Sequence, residues 1–479
     1  MLIGVPRESA TGETRVSVTP ETAKKLKAAG HRVLVERDAG NAAACTDAAY
    51  EAAGAELTDT AGALAAELVL KVQRPSAAEL ALMKPGSVLL GLLNPFDAEG
   101  LQQLAGAGLT AFALEAAPRT TRAQSLDVLS SQANLAGYKA VMLAAVHYPK
   151  LFPMLMTAAG TIKAARVVIL GVGVAGLQAI ATAKRLGAVI EASDVRPAVK
   201  EQVESLGAKF IEVPYETDEE REAAQGVGGY AKPMPPSWLQ RQAAEVAKRV
   251  AAADVVISTA LIPGRPAPTL VSEAMVKSMK PGSVIVDIAA GRGPGGVGGN
   301  CPLTVADQTV KVHGVTIIGE TNLPATVPAD ASALYARNLL DFLKLIVDKE
   351  ARLVIPSDDD IVSACLMTQG GEVKTKGLDA MDAVSPTLIN LIIFVLAIYV
   401  GYHVVWNVTP ALHTPLMAVT NAISAIVIVG AMLAAALTET NFGKLMGTLA
   451  VALAAVNVFG GFLVTRRMLE MFKKKDTKK

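Results

Sequence analysis

The stretch ARVVILGVGVAGLQAIATAKRLGAVIEASD, residues 165–194, decides how the centre of this chain folds. An apolar run ending at Leu170 suits a buried strand. The chain then turns through Gly171, Gly173 and Gly176, spaced G-x-G-x-x-G, into an Ala-rich helical pattern. Strand, glycine turn and helix in that order make the phosphate-binding unit of a doubly wound sheet. The first Gly permits the tight turn, the second lets a pyrophosphate approach the backbone, and the third lets the helix pack against the strand. Backbone N–H groups around Val174, at the helix start, face the phosphate charge. The next strand ends at Asp194, eighteen residues after Gly176, where a carboxylate can accept from ribose hydroxyls. That carboxylate would repel a 2′-phosphate and favours NAD over NADP, although Arg196 could itself meet such a phosphate.

Outward from this unit, short apolar runs alternate with Ala-rich amphipathic stretches from residue 1 to about 380, the rhythm of α/β units. The strand candidates are HRVLVE, AELVLKV, GSVLLGLL, ARVVILGV, AVIEASD, DVVISTA and GSVIVDIA. MKPGSV occurs at 83–88 and again at 279–284, which reads as one helix, Pro-Gly turn and strand used in two related halves, or as chance recurrence in an Ala/Gly/Pro-rich chain. Two long helical patterns, LSSQANLAGYKAVMLAAVHY at 129–148 and ASALYARNLLDFLKLIVDKE at 331–350, look like the crossings between lobes. The expected organisation is an N-terminal α/β lobe of residues 1–137 completed by 325–375, with a nucleotide-binding Rossmann lobe of 138–324 inserted between. Two segments read equally as functional or as plain surface. One is PYETDEEREAAQGVGGYAKPMPPSWL, 214–239, which suits a mobile lid; the other is the glycine run GRGPGGVGGN, 291–300.

The 479 residues call for two or three domains, and the net charge of +1 excludes a strongly basic nucleic-acid-binding surface. Cys45, Cys301 and Cys365 lie far apart and form no CxxC pair, so neither a zinc site nor a disulfide framework is expected, and no metal is assigned. The N-terminus MLIGVPRES lacks the apolar core of a secretory signal, so the first domain is expected to stay in the cytoplasm.

After residue 387 the composition changes. Three apolar runs, 388–406, 415–437 and 445–464, each have about the ~20 residues that span a bilayer and contain no Asp, Glu, Lys or Arg. Gly443 and Gly447 make a GxxxG suited to helix packing, though Gly is common in membrane helices anyway. The spans offer Asn421, Ser424, Asn457 and, near an end, His403 as polar groups. Residues 376–387 are read as a linker, and 366–387, with Gly370, Gly371 and Gly377, as a flexible joint. The basic tail, 465–479, favours a cytoplasmic C-terminus, whereas three spans from a cytoplasmic first domain would put it outside. A natural break at Met381, making a second polypeptide, or a fusion with an unrecognised crossing or partner-assisted topology, would resolve the conflict.

These motifs, with PRTTRAQSLDVLSSQANLAGY (118–138), GGYAK (228–232), TALIPGRPAP (259–268) and VGYHVVWNVTPALHTPLMAVTNAISAIVIVGA (400–431), resemble the NAD(H)-binding component of proton-translocating transhydrogenase along nearly the whole chain. The resemblance implies an alanine dehydrogenase-like pair of Rossmann lobes followed by three transmembrane helices. It also implies direct hydride transfer between NAD(H) on this chain and NADP(H) on a partner β subunit, coupled to proton movement. The implied assembly is a homodimer of the NAD domain within α2β2, multi-pass in the bacterial cytoplasmic membrane with the NAD domain in the cytoplasm. Carried over by motif, Arg119, Gln124 and Asp127 are the catalytic candidates. Together with Arg122 and Ser130 they are expected around the nicotinamide and its ribose; Asp194, Val195 and Arg196 at the adenosine side; and Gly229 and Tyr230 on a mobile loop. An Arg can donate to a carboxamide oxygen, an Asp can orient that Arg, and Gln and Ser can bond the carboxamide or ribose.

Two other readings compete. The soluble part also resembles alanine dehydrogenase, keeping Lys71 at that family's substrate-binding lysine, but Asn94 stands where its catalytic histidine is expected, which argues against oxo-acid reduction. A non-enzymatic NAD sensor attached to a membrane protein is the third reading.

Overall fold

The structure, a computed structural model, describes residues 1–225, 234–348, 350–374, 450–452 and 455. The chain divides into two compact units, 1–381 and 382–479. In the first, each predicted strand forms. Leu2–Val5, Arg32–Glu36, Glu56–Thr58, Leu68–Gln73, Val88–Leu92 and Thr110–Ala113 build six parallel strands of one sheet. Its central strands are apolar on both faces because helices cover both sides, as parallel sheets require.

The second sheet runs, in spatial order, Lys209–Phe210, Val189–Ser193, Arg166–Leu170, Val255–Ser258, Val284–Asp287, Val315–Ile318 and Thr309–Val312. Only the last strand is antiparallel to its neighbour. Strand order reverses between Arg166–Leu170 and Val255–Ser258, so their carboxyl ends open the crevice where doubly wound sheets bind ligands.

The repeated hexamer is the same structure twice. Gly86 and Gly282 take φ of +84° and +86°, and their N–H groups donate to Gly108 O and Gly314 O at 2.8 Å in both cases. Each turn follows a short helix, Ala77–Leu80 or Glu273–Ser278, and feeds a parallel strand at Val88 or Val284. The left-handed φ at each turn needs Gly.

Two helices tie the sheets together. The crossover helix, Val128–His147, packs on the nucleotide helix, Val174–Arg185, and on the return helix, Pro328–Ile346. At their meeting point Arg15, 3% exposed, is gripped by Glu13 (Nη2 to Oε2 2.6 Å) and donates to Gln132 Oε1 at 2.8 Å. Asn322, from the second sheet's side, donates to Glu13 Oε2 at 3.0 Å, and Thr14 bonds the Ala325 carbonyl. Burial works to raise the Glu13 carboxyl, but the hydrogen bonds and charge of Arg15 hold it down at about 2.

One expectation is overturned. Residues 366–374, read as the start of a flexible joint, are an ordered hairpin: Leu366–Gln369 pairs antiparallel with Thr110–Ala113, and Glu372–Val373 folds back on it. Gly370 and Gly371, at φ +63° and +80°, form its tight turn. Met367 is fully buried, and Thr368 Oγ1 donates to Leu109 O at 2.8 Å. The linker from 376 on, the three apolar runs and the basic tail lie outside the described residues, apart from the helical residues 450–452 and 455. Among the described residues no helix is long and apolar enough to cross a membrane.

Candidate functional site

The three glycines of the fingerprint differ in their surroundings. Gly171 has φ +92°, and a Cβ there would stand 2.7 Å from Thr259 Oγ1, across the crevice on the neighbouring strand end. Thr259 in turn donates from Oγ1 to Gly171 O at 2.8 Å, closing one wall of the crevice. A Cβ on Gly176 would meet Gly171 O at 2.1 Å, so helix and strand approach at backbone distance. Gly173 is different. It caps the nucleotide helix with no side-chain hydrogen bond, and a Cβ there would meet nothing within 4 Å. Its open flank and the first-turn N–H groups form a cradle suited to a pyrophosphate. Val174, 37% exposed, follows directly.

Asp194 is held at the next strand end. Its Oδ2 accepts from Val172 N at 2.7 Å, inside the glycine turn, and the carboxylate pairs with Arg196 through Nε and Nη2, both at 2.9 Å. The Asp194 side chain is 6% exposed and that of Arg196 27%. The carboxylate therefore orders the turn and neutralises the Arg196 guanidinium at once. Val195 packs beside a small cluster of Val213, Ala223, Met234 and Trp238, in which Tyr215 stacks on Trp238 with ring centroids 6.0 Å apart. The segment expected as a lid is partly helical, Asp218–Gln225 and the start of Pro236–Ala252; Gly229 and Tyr230 lie outside the described residues.

The loop carrying the nicotinamide candidates leaves the first sheet at Ala113 and forms a 3-10 turn, Thr121–Leu126. Ala123 and Leu126, each 2% exposed, plug into the core, while Arg119 and Gln124 face outward. Asp127 caps the crossover helix, its oxygens accepting from Ser130 N at 2.9 Å and Ser130 Oγ at 2.6 Å. Arg122, expected at the nucleotide, is committed elsewhere: its guanidinium forks onto Asp359 at 2.7 and 2.9 Å and also pairs with Asp360.

The crossover helix joins this loop to the glycine fingerprint. A Cβ on Gly137 would lie 2.1 Å from Ala175 O in the first turn of the nucleotide helix. Ser130 is seven residues earlier, about 10 Å along the helix axis.

Lys71 does not serve as a free substrate cation. It is fully buried and paired with Glu79 at 2.7 Å and Glu8 at 3.4 Å. Burial, only partly offset by the Lys71 charge, pushes the Glu8 carboxyl up to about 6. Asn94 adopts φ +56°, and its N–H donates to Glu115 Oε1 at 2.7 Å.

Residues 4–136 and 140–376 match the N-terminal and C-terminal domains of the family described as Alanine dehydrogenase/PNT. A transhydrogenase structure from Sinorhizobium meliloti is 48% identical and superposes with a TM-score of 0.70, covering 78% of this chain and 100% of that one. NAD(P) transhydrogenase subunit alpha of Cereibacter sphaeroides is 41% identical over 99% of this chain and its own full length. The protein of the same description from Haemophilus influenzae is 40% identical, again over 99% of this chain and the whole relative. Residues 390–474 match the 4TM region of pyridine nucleotide transhydrogenase. The chain belongs to the NAD(P) transhydrogenase alpha subunits.

As a transhydrogenase alpha subunit it is an oxidoreductase of the proton-translocating, membrane-associated kind, built on alanine dehydrogenase-like Rossmann-type domains that bind a nucleotide, and its partner is a β subunit. Among the described residues no cluster of His, Cys, Asp or Glu is arranged to hold a metal.

Several residues that shape the site gave no signal in the sequence. Asp287, fully buried, accepts from Ser258 Oγ, Thr304 Oγ1 and the N–H groups of Ala289, Asn300 and Cys301, fastening the glycine run 291–300 to the sheet. Asn300 in turn bonds Ala260 N and O, fixing the segment after Thr259. A polar residue near a strand end could have suggested such a brace, but its partners could not be named.

Proposed function

We propose that this chain binds NAD(H) in the crevice at the switch point and exchanges hydride directly with NADP(H) carried by the β subunit. The observation that carries this is the cradle at Gly173 beside an Asp194 whose carboxylate already neutralises Arg196. A 2′-phosphate would meet that carboxylate with its cation partner spent, whereas ribose hydroxyls can donate to it. Gly171, Gly173, Val174 and Gly176 hold the pyrophosphate, and Asp194, Val195 and Arg196 line the adenosine side. Arg119, Gln124, Asp127 and Ser130 surround the nicotinamide, and Gly229 and Tyr230 complete the site.

Hydride passes between two nicotinamide rings with no proton abstraction at the reacting carbon, so the chain's task is positioning. The ring carbons must approach to about 3–3.5 Å with aligned faces. A loop plugged into the core at Ala123 and Leu126 suits that task.

In this reading residues 1–137 with 325–375 form one lobe, 138–324 the nucleotide lobe, and 388–464 three membrane helices. The assembly is α2β2 in the bacterial cytoplasmic membrane with the NAD domain in the cytoplasm. The exposed hairpin Leu155–Thr157 and Gly160–Ile162, with Met154 at 58% and Met156 at 72% exposure, supports pairing of two NAD domains through this apolar projection.

The test is hydride transfer from NADH to an NADP analogue by the purified chain with and without the β subunit, beside an alanine plus NAD control. Transfer that requires the β subunit is expected. Alanine-dependent NADH formation by the chain alone would overturn the proposal.

A further inference from the structure

We propose that Asn338, on the return helix, is a positioning residue that clamps the nicotinamide loop from behind; the inference rests on the reading of that loop given above. Asn338 lies on the buried face of Pro328–Ile346, 7% exposed, flanked by Tyr335, Leu339 and Phe342. Its side-chain amide has two partners in a different part of the chain. Nδ2 donates to the carbonyl of Ser125 at 2.8 Å, and Oδ1 accepts from Ser131 Oγ at 2.7 Å. Those partners bracket Asp127 and Ser130, so one side chain spans the junction between the 3-10 turn and the crossover helix.

The chemistry of the turn explains why an amide is needed. The last carbonyls of a short helix have no partner within it, and that of Ser125, an exposed residue, finds one in Asn338. Ser125 O presents that acceptor towards the return helix, and Ser131 presents a hydroxyl. An amide offers a donor and an acceptor on one planar group, and satisfies both. Ala123 and Leu126 hold the loop by packing and Arg122 by its pair with Asp359, but neither contact holds the Ser125–Leu126 peptide. Asn338 does. Its loss frees that peptide to rotate and carries the neighbouring Gln124 with it, while Asp127 keeps its cap bonds to Ser130.

A misplacement of about 1 Å at such a distance can cost on the order of a hundredfold in rate. Binding of NADH depends mostly on the cradle and the adenosine side, so kcat is expected to fall while KM stays nearly constant. The experiment uses the full chain assembled with its β subunit in membranes, measuring kcat and KM for NADH with an NADP analogue. The variants are N338D, which turns an oxygen towards Ser125 O, N338S, which keeps one short hydrogen-bonding group, and Q124L as a test of the loop itself. N338D is expected to lower kcat about tenfold or more with KM changed less than about threefold, and N338S to lie between it and the parent. If N338D does not assemble, N338S decides by the same split. Loss of kcat in Q124L with none in the Asn338 variants would overturn the inference alone. Unchanged kcat in all three would overturn the reading of the loop and the inference with it. A change confined to KM or to the amount of assembled enzyme would show a merely structural role and also overturn it.

Discussion

Replacing Gly137 by Ala tests the backbone contact that joins the two halves of the site. The crossover and nucleotide helices meet there, and the new Cβ would stand 2.1 Å from Ala175 O, 2.9 Å from Ala175 C and 3.0 Å from Ala175 Cα. All three are backbone atoms, so no side chain can swing aside. Restoring an ordinary van der Waals separation requires the helices to part by about 1 Å in an interior packed at crystal-like density. Ala is the better helix former by about 0.5–1 kcal/mol, which opposes the effect. Overpacking of this kind costs about 1–3 kcal/mol and more where nothing can yield, so the clash wins. Ala175 is the second residue of the nucleotide helix, and the displacement falls on the N–H groups proposed to face the pyrophosphate. A donor moved by about 1 Å loses its hydrogen bond, and bonds to a charged group are worth about 1.5–3 kcal/mol each. Gly137→Ala should therefore weaken NADH binding by about tenfold to a hundredfold and lower the melting midpoint by a few degrees. Both are measurable by calorimetry on the detergent-solubilised α–β enzyme. NADH affinity within twofold of the parent, with an undiminished melting midpoint, would refute the backbone-to-backbone packing and the coupling of the crossover helix to the cradle.

Gly173→Ala should act in the opposite way: the residue's φ of −80° suits any L-residue and its Cβ meets nothing within 4 Å, so melting should not change while NADH affinity falls. A matching loss of stability would mean that the space beside Gly173 is not the phosphate cradle. Asp287→Ala removes a fully buried carboxylate and leaves five donors unpaired, so the folded state should lose about 3 kcal/mol or more, read as a lower denaturation midpoint; an unchanged midpoint would refute the brace. Glu115 gives a pH signature. Burial pushes its carboxyl up to about 7, against the pull of its backbone hydrogen bonds, and Oε2 has no partner. A raised folded value means that the protonated form is favoured. Its contribution is complete below the ordinary carboxylate range and is lost as pH rises through about 7. Glu8, pushed up to about 6 mainly by burial, acts in the same direction. Between pH 5.5 and 8.5 the parent should lose stability that Glu115→Gln retains, on the order of 1–2 kcal/mol after allowing for the residue's partial exposure. Parallel stability curves for the two proteins would count against a buried titrating carboxyl at this position.

The parts of the fold that can be read from sequence are those whose physics is local. A glycine with positive φ after a proline marks the same turn at 83–88 and at 279–284, and the strand after it is apolar because helices cover both faces. The fingerprint glycines are readable for the same reason, since each role concerns atoms a few residues away or on the adjoining strand end. The hairpin at 366–374 escapes such reading because Gly370-Gly371 is ambiguous by composition. Paired glycines suit both a tight hairpin turn and a loose linker, and the choice depends on whether a strand edge is available. Here the edge at Thr110–Ala113, more than 250 residues earlier in the sequence, supplies it.

Lys71 and Asn338 show where such reading stops. A lysine inside LVLKVQ signals that a buried counter-charge must exist, because an unpaired ammonium would be too costly in a strand buried on both faces. Glu8 and Glu79 are those partners, and nothing in the spacing of 8, 71 and 79 singles them out from the other carboxylates. The resemblance to alanine dehydrogenase suggests a substrate-binding cation; its fully paired and buried state makes it part of the lobe's interior. Asn338 is harder still, for an Asn in an amphipathic helix reads as solvent-facing until the helix is packed. Only then does its amide lie against Ser125 and Ser131, two groups whose needs arise from a loop more than 200 residues away. The residues proposed to touch a nucleotide follow local rules of turn and charge, whereas those that hold them in place are chosen by the donors and acceptors that the packed fold brings together.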